Sequence, residues 1–395
     1  MHRRLSRLFR IFGPAWITML ADMDASSIIG AAQLGSAFQY SFIWFLLLLI
    51  LPLYIIQEAS GRIGAVTRQG LGDTIRSNYS KVTASLMVIP MFFADIATYV
   101  AEFLGIGVGL EILGIPLYAG IIAAYAIFLV VAFTREYESA ERILVAVSAL
   151  LVFGLFATLL LRGVKPYPVF AIKPSPQYLF LASATIGAVV MPFMLFFQAS
   201  ATGVKIGKRR RSVDEKVVKE IKENTLIGAI VTELLMVVVE MTFAGVRASP
   251  GTFISAQSLA SVLQPIAGRF SPYVFGIGLI ASGFLALIVV ALASAWSVAE
   301  VLRIKKRQLL YVAESLPAIL LVLLIPPSML INGVIDFLVV FVFVLLGPAI
   351  ILGMIAQNRK IMGRFAFSKR EAIAYWLASA FVLVFGIASA IISIW

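Results

Sequence analysis

The residues best able to do chemistry in this chain are carboxylates, and they stand where carboxylates are costly. Asp22 and Asp24 interrupt an apolar stretch, GPAWITMLADMDASSIIGAAQLG, and Ser26 and Ser27 follow directly. Asp95, Glu102, Glu233, Glu240 and Glu300 fall in other apolar runs. An ionisable side chain at membrane depth costs at least ~2.5 kcal/mol unless a partner or a function offsets it. Each acid therefore has two readings: a binding or proton-carrying group, or a protonated or hydrogen-bonded acid between helices. Glu233 and Glu240 are seven apart, so they share a helix face and could line a polar path. Asp22 and Asp24 are two apart, about 200° around a helix, so both face one ion only if the helix is unwound there. Carboxylates in this setting point to a cation. The chain has no Cys, and its one His is His2 in a basic N-terminal segment. Thiolate metal sites and disulfides are excluded, and a histidine proton relay or metalloprotease chemistry is argued against. No Ser nucleophile flanked by glycines and no paired-Asp protease motif suggests an enzyme.

A second interruption lies in ATIGAVVMPFMLFFQAS, where Gly187 and Pro192 bracket a short stretch. Proline removes a backbone donor and clashes with the preceding turn. In lipid, freed carbonyls survive only where they face a cavity or a ligand. The plainer alternative is that Pro192 only kinks its helix and DMDASS is an ordinary helical turn. Interrupted segments at matching places in two halves mark a transporter site near the bilayer midplane.

The elements that must position these residues are membrane spans. The chain has 395 residues, 61% hydrophobic and 13% charged, with a mean hydropathy of +1.00. A soluble domain averages about 45–50% apolar and 25% charged, so lipid must be the solvent for most of this chain. Apolar runs predict about eleven helices, at 12–38, 41–61, 82–111, 115–133, 142–161, 178–202, 224–246, 272–301, 309–325, 334–356 and 371–394. The two interrupted helices are the first and the sixth. That offset suits an inverted repeat, the first half over 12–161 and the second over 178–356, with an extra helix at 371–394. With the N-terminus inside, every Lys and Arg of the 32 falls on the cytoplasmic side except Arg162, Lys165, Lys173, Arg247 and Arg269. This is the positive-inside pattern, and it puts the C-terminus outside. It also accounts for the net charge of +12 without nucleic acid; lipid headgroups are the other partner such loops suit. The basic-then-apolar start resembles a signal peptide, but Asp22 and Asp24 and the absence of a clean cleavage site make it the first retained helix. Residues 212–223 read as a short amphipathic helix, and no loop is long enough for a soluble domain.

These residues resemble the NRAMP family of proton-coupled divalent-metal transporters, which have a LeuT-type fold. The family's first helix carries GPG, MDPGN and AGAAFGYS; this chain has Gly13-Pro14-Ala15, Met23-Asp24-Ala25-Ser26-Ser27 and Leu34-Gly35-Ser36-Ala37-Phe38-Gln39-Tyr40-Ser41 in the same spacing. The family's sixth helix carries GATVMPHN, against Gly187-Ala188-Val189-Val190-Met191-Pro192-Phe193-Met194 here. The third helix matches at Ala101-Glu102-Phe103-Leu104-Gly105 and on to Gly114-Ile115-Pro116-Leu117, and NRKIMG at 358–363 resembles the end of the tenth. The chain departs where metal or protons are handled. DASS replaces DPGN, Phe193 and Gln198 replace two histidines, Tyr99 replaces an Asp, and Leu345 replaces a Gln.

The resemblance implies a metal site between the broken parts of helices 1 and 6. Asp24 is then the anionic ligand, Ser27 a hydroxyl in place of the family's amide, Met191 a thioether, and Ala21 and Ala188 carbonyl donors. Asp22, Glu102, Gln198 and Glu233 are candidates for a surrounding shell or a proton route. A thioether favours late or borderline metals over Mg²⁺ or Ca²⁺, so Met191 tilts the expectation to Mn²⁺ or Fe²⁺. Its plain alternative is a gap-filling apolar residue. The expected protein is a multi-pass plasma-membrane transporter of divalent metal ions, not an enzyme, working by alternating access. No cofactor, nucleic acid or obligate protein partner is expected; the metal is cargo. Proton symport is in question because Phe193 cannot carry a proton as the family's His does. The alternatives are a related Mg²⁺ transporter without proton coupling and, more remotely, an organic-solute transporter of the same fold.

Overall fold

The computed structural model describes residues 13–134, 137–172, 175–208 and 213–392. His2 and the basic segment around it, Arg135, Lys173, Arg209, Arg210, Arg211 and the last residues of the predicted span at 371–394 lie outside the described residues. The first predicted span is two helices, α1 (Pro14–Ala21) and α2 (Ala25–Phe38). Then follow α3 (Ile43–Thr67), α4 (Leu71–Asn78), α5 (Lys81–Ile112), α6 (Leu117–Thr134) and α7 (Tyr137–Arg162). The sixth span is again two helices, α8 (Pro176–Val189) and α9 (Pro192–Lys208). The rest is α10 (Glu215–Phe243), α11 (Ala256–Ala267), α12 (Ser271–Leu302), α13 (Arg307–Leu324), α14 (Pro327–Gln357), α15 (Arg359–Met362), α16 (Lys369–Ala380) and α17 (Gly386–Ile392).

Among the described residues, 9 helices are long and apolar enough to cross a membrane, with α8 and α9 taken as one and the stretch from α16 through α17 as another. The shorter apolar helix Leu117–Phe133 and the α1–α2 pair bring the spans to the expected eleven. Large apolar side chains such as Leu51, Phe93, Phe153 and Leu324 point outward, as they must when lipid is the solvent. The chain is a multi-pass membrane protein.

One expectation about connections is corrected, and two loops hold helices that apolar runs do not predict. The amphipathic segment at 212–223 is not a separate helix. Asp214 caps α10 by accepting the Val217 N–H, and the helix runs unbroken into the membrane. The loop at 247–271 contains a 3₁₀ turn, Pro250–Ile254, and α11, and the loop at 62–81 contains α4. These are short helices whose polar sides hide them from a search for apolar runs. The last span has a π-helical turn at Phe381–Phe385 between α16 and α17.

The core is made by α5 and α12 packed together with α7 and α13, and by α10 packed on α2 and α3. Glycines allow the closest approaches, as is usual between membrane helices. A Cβ on Gly64 of α3 would overlap the backbone of Ala199 in α9, and one on Gly187 of α8 would overlap the Leu338 carbonyl of α14.

The two faces are tied differently. On the face where α1 begins, here called the near face, the bonds are ionic. Arg62 pairs with Glu58 at 2.8 Å and with Glu371 at 2.8 Å, Lys222 reaches Glu371 at 2.9 Å, and Arg303 reaches Asp73 at 2.7 Å. On the far face they end mostly on backbone. Ser36 Oγ donates to the carbonyls of Val246 and Ala248 at 2.6 and 2.8 Å. The Arg162 guanidinium donates to the carbonyls of Met241 and Ala244. Lys165 N–H donates to Tyr40 Oη at 3.1 Å.

Candidate metal site at two broken helices

α1 stops at Ala21 because the chain turns extended at Asp24, with φ −76° and ψ 174°. Asp24 is the N-cap of α2. Its Oδ1 accepts the Ser27 N–H at 2.6 Å and the Ser26 hydroxyl at 2.7 Å. The next N–H, from Ala25, donates to both carboxylate oxygens of Glu102 on α5, each at 3.1 Å. In a continuous helix that N–H would bond the Ala21 carbonyl, so Glu102 leaves that carbonyl unclaimed by its usual donor. Two hydroxyls hold the rest of the break. Ser282 on α12 donates to the Met23 carbonyl at 2.6 Å, and Thr232 on α10 donates to the Met19 carbonyl at 2.6 Å.

The second break is simpler. α8 ends with Val190 N–H donating to Ile186 O at 3.1 Å, and α9 starts at Pro192. The donor that would reach the Ala188 carbonyl in a continuous helix belongs to residue 192, and proline has none. α1 packs on α9 and α2 on α8, a pairing that sets the two interruptions side by side. Asp22, Asp24, Ser27, Ala188 and Met191 are all buried, none more than 2% exposed.

The polar atoms here are incompletely paired. Among the described residues, Asp22 Oδ1, Asp24 Oδ2, Ser27 Oγ and both oxygens of Glu233 are buried with no partner at hydrogen-bond distance and angle, and the Ser27 hydroxyl lies next to the Asp24 carboxyl. Glu233 and Asp24 both lie within electrostatic reach of Asp22. An unpaired buried polar group costs roughly 1–3 kcal/mol and a charged one more. Carboxylate and hydroxyl oxygens that together lack donors could hold a cation. The Met191 sulfur and the Ala188 carbonyl come from the second break, opposite them.

The unwinding that Asp22 required is present, and Asp22 and Glu233 stand at the first break beside Asp24. Glu102 acts there through the Ala25 N–H. Gln198 is elsewhere. Its Nε2 donates to Thr225 Oγ1 at 3.0 Å, and it lines a cavity of about 110 Å³ at the near face with Gly13, Pro14, Thr202 and Lys205. Glu240 is engaged away from the break. Glu240 Oε1 accepts the Phe42 N–H at 3.0 Å, and its backbone packs against Gly35, which makes it part of the far-face closure. Glu300 accepts the Asp73 N–H at 3.2 Å and holds the start of α4. Asp95 lies beside Glu314, an acid that the sequence reading passed over although it sits in the apolar run at 309–325.

Known proteins resemble this chain in sequence and in fold. The family model described as natural resistance-associated macrophage protein-like matches residues 15–391. A divalent metal cation transporter MntH of Lacticaseibacillus casei is 27% identical over 402 residues, covering 94% of this chain and 87% of the relative. An Acidiphilium cryptum protein of the same name is 28% identical over 298 residues, covering 71% of this chain and 67% of its own. Among solved structures, the Eremococcus coleocola manganese transporter, in complex with an aromatic bis-isothiourea substituted compound, superposes with a TM-score of 0.83 at 17% identity, covering 100% of this chain and 88% of that one. A nucleobase-cation-symport-1 family transporter, closed with bromovinylhydantoin bound, superposes with a TM-score of 0.62 at 14% identity, covering 97% of this chain and 91% of that one. The fold is thus the LeuT-like one of these transporters, and the chain belongs to the NRAMP family.

Proposed function

We propose that this protein is a secondary transporter of divalent metal cations, with the ion held between the breaks of the first and sixth spans. The observation that carries the reading is the group of unpaired oxygens of Asp22, Asp24, Ser27 and Glu233 facing a break that ends in Met191 and Pro192. Asp24 supplies charge with the oxygen it does not use as a helix cap. Ser27 supplies a hydroxyl, and Ala21 and Ala188 supply carbonyls whose usual donors are diverted or missing. The thioether of Met191 favours Mn²⁺ or Fe²⁺ over harder ions. Relatives named as divalent metal cation transporters and a fold shared with a manganese transporter support the same class. The metal is cargo, and the mechanism calls for no cofactor.

Helices α1–α7 and α8–α14 form the two inverted repeats in this reading, with α16 and α17 as the extra span. Alternating access exposes the breaks first to one face and then to the other. In this reading the protein sits in the plasma membrane, and the Lys and Arg distribution supports a cytoplasmic near face and an external C-terminal end. Protons, where they move, use carboxylates, because Phe193 and Gln198 offer no imidazole.

A second reading, a Mg²⁺ transporter without proton coupling, draws on Asp22 and Glu233. Extra carboxylates suit a hard ion that keeps part of its water. Mn²⁺ influx into proteoliposomes at several Mg²⁺ concentrations, with Asp24→Ala as control, separates the two. Mn²⁺ entry that is lost in the variant and resists excess Mg²⁺ supports the soft-ligand site. Entry abolished by modest Mg²⁺ transfers the assignment to Mg²⁺. No entry of either ion overturns the transport reading. A pH-sensitive dye trapped in the same vesicles reads whether protons accompany the metal.

A further inference from the structure

A second group of unpaired oxygens lies away from the broken helices, where α5, α12 and α13 pack on one another. Asp95 on α5, Ser294 on α12 and Glu314 on α13 are each 0% exposed. Among the described residues, both oxygens of Asp95, Oε1 of Glu314 and the hydroxyl of Ser294 have no partner at hydrogen-bond distance and angle. The Ser294 hydroxyl faces both carboxyl groups. Tyr99, one turn beyond Asp95, donates its hydroxyl to Glu314 Oε2 at 3.3 Å. The ionisable groups that bear on this cluster are Asp95, Glu314, Tyr99 and Tyr311. No Lys or Arg is among them.

Two carboxylates in a low-dielectric interior repel strongly when no countercharge is near. Here α12 and α5 also bring a serine hydroxyl and a phenol to the same cluster. The donor set is all oxygen, which is what hard cations select, and it lacks the sulfur that the broken-helix site has in Met191. Its position is informative. Asp95 precedes Glu102 by two helical turns, so it lies on the same face of α5, about 10 Å away at 1.5 Å per residue. Glu102 holds Ala25, and Ser282, on the same helix as Ser294, holds Met23. The cluster therefore joins two of the three helices that keep the first break open.

We propose that Asp95, Glu314, Ser294 and Tyr99 form a second cation site, one that takes a hard ion of the alkali or alkaline-earth class. An ion there braces α5, α12 and α13 against each other and steadies the break through Glu102 and Ser282. The site rests on its own oxygens; only its effect on metal uptake depends on the transport reading above.

The test uses the full-length protein in detergent, with Na⁺, Mg²⁺ and Ca²⁺ chlorides as probes against N-methylglucamine chloride at equal ionic strength. Thermal melting and calorimetry read the binding. The wild type is expected to gain stability from at least one probe. Asp95→Asn with Glu314→Gln should weaken that response by about tenfold or more, equal to roughly 1.4 kcal/mol. Ser294→Ala, a milder change, should weaken it less and keeps the test decisive should the double variant not fold. Mn²⁺ binding in the double variant, sensitive to Asp24→Ala, should persist. A wild type indifferent to all three probes overturns the proposal. So does a probe response that survives in a folded variant, or a response that follows pH alone, which would make the pair a proton holder. Failure of the transport reading would appear separately, as absent Mn²⁺ binding at Asp24 with the hard-ion response intact.

Discussion

The two helix breaks solve one problem by different means. The first is held open by side chains from three other helices: Glu102 takes the Ala25 N–H, Ser282 donates to the Met23 carbonyl and Thr232 to the Met19 carbonyl. The second is opened by composition, because Pro192 cannot supply the donor that would close it. The first break gathers anionic oxygens, and the second offers a sulfur and a carbonyl. In the proposed site, charge thus comes from where the surroundings can hold a carboxylate in place, and chemical preference from where the backbone is simply left open. The first break should be sensitive to remote substitutions and the second to changes at the break itself.

The largest effect is expected from Asp24→Ala, which removes both the proposed ligand and the N-cap of α2. Metal influx should fall below detection in proteoliposomes, and the cap alone should cost ~0.5–2 kcal/mol of stability. Glu102→Ala comes next. It strands the buried Ala25 N–H at about 1–3 kcal/mol, so the melting temperature should fall and uptake drop at least severalfold, although Glu102 touches no metal in this arrangement. A variant with normal melting and uptake would show that the first break does not depend on its supports. Pro192→Ala restores an N–H opposite the Ala188 carbonyl. It should raise or preserve thermal stability while lowering uptake severalfold; unchanged uptake would remove that carbonyl from the site. Met191→Leu should act least on total flux and most on choice. The Mn²⁺ preference over Mg²⁺ should shrink by up to about tenfold, or ~1.4 kcal/mol, in a competition uptake assay. Unchanged competition would return Met191 to a packing role.

Much of the site was legible because it breaks local rules. Acids at 22 and 24 in an apolar run and a proline at 192 between glycine and phenylalanines cannot be ordinary lipid-facing helix, and both breaks are where those residues stand. The spans were legible from length and apolarity alone. The unread parts depend on distant partners. Glu240 meets its acceptor role 198 residues away, at Phe42, and Glu300 meets Asp73 across 227 residues; neither pairing leaves a trace in local spacing. The seven-residue interval between Glu233 and Glu240 placed them on one face, yet that face passes from the broken helix to the far-face closure along its length. Glu314 carried the same signal as the other acids, a carboxylate in an apolar run, and needed only to be counted. The surface helices α4 and α11 were missed because they do not cross the membrane and so show no long apolar run.

The ionic ties of the near face carry a consequence for ionic strength. Arg62 is shared by Glu58 and Glu371, and Glu371 by Lys222, so α3, α10 and α16 meet at one knot of alternating charge. Salt weakens attraction between partly exposed charges, with a Debye length of about 8 Å at physiological strength. The far face is sealed largely by hydrogen bonds to backbone carbonyls, which salt hardly touches. The two ends of the molecule therefore differ in their response to the solutions they meet. Raising salt on the near side alone should loosen that side's closure, while the far seal keeps its strength.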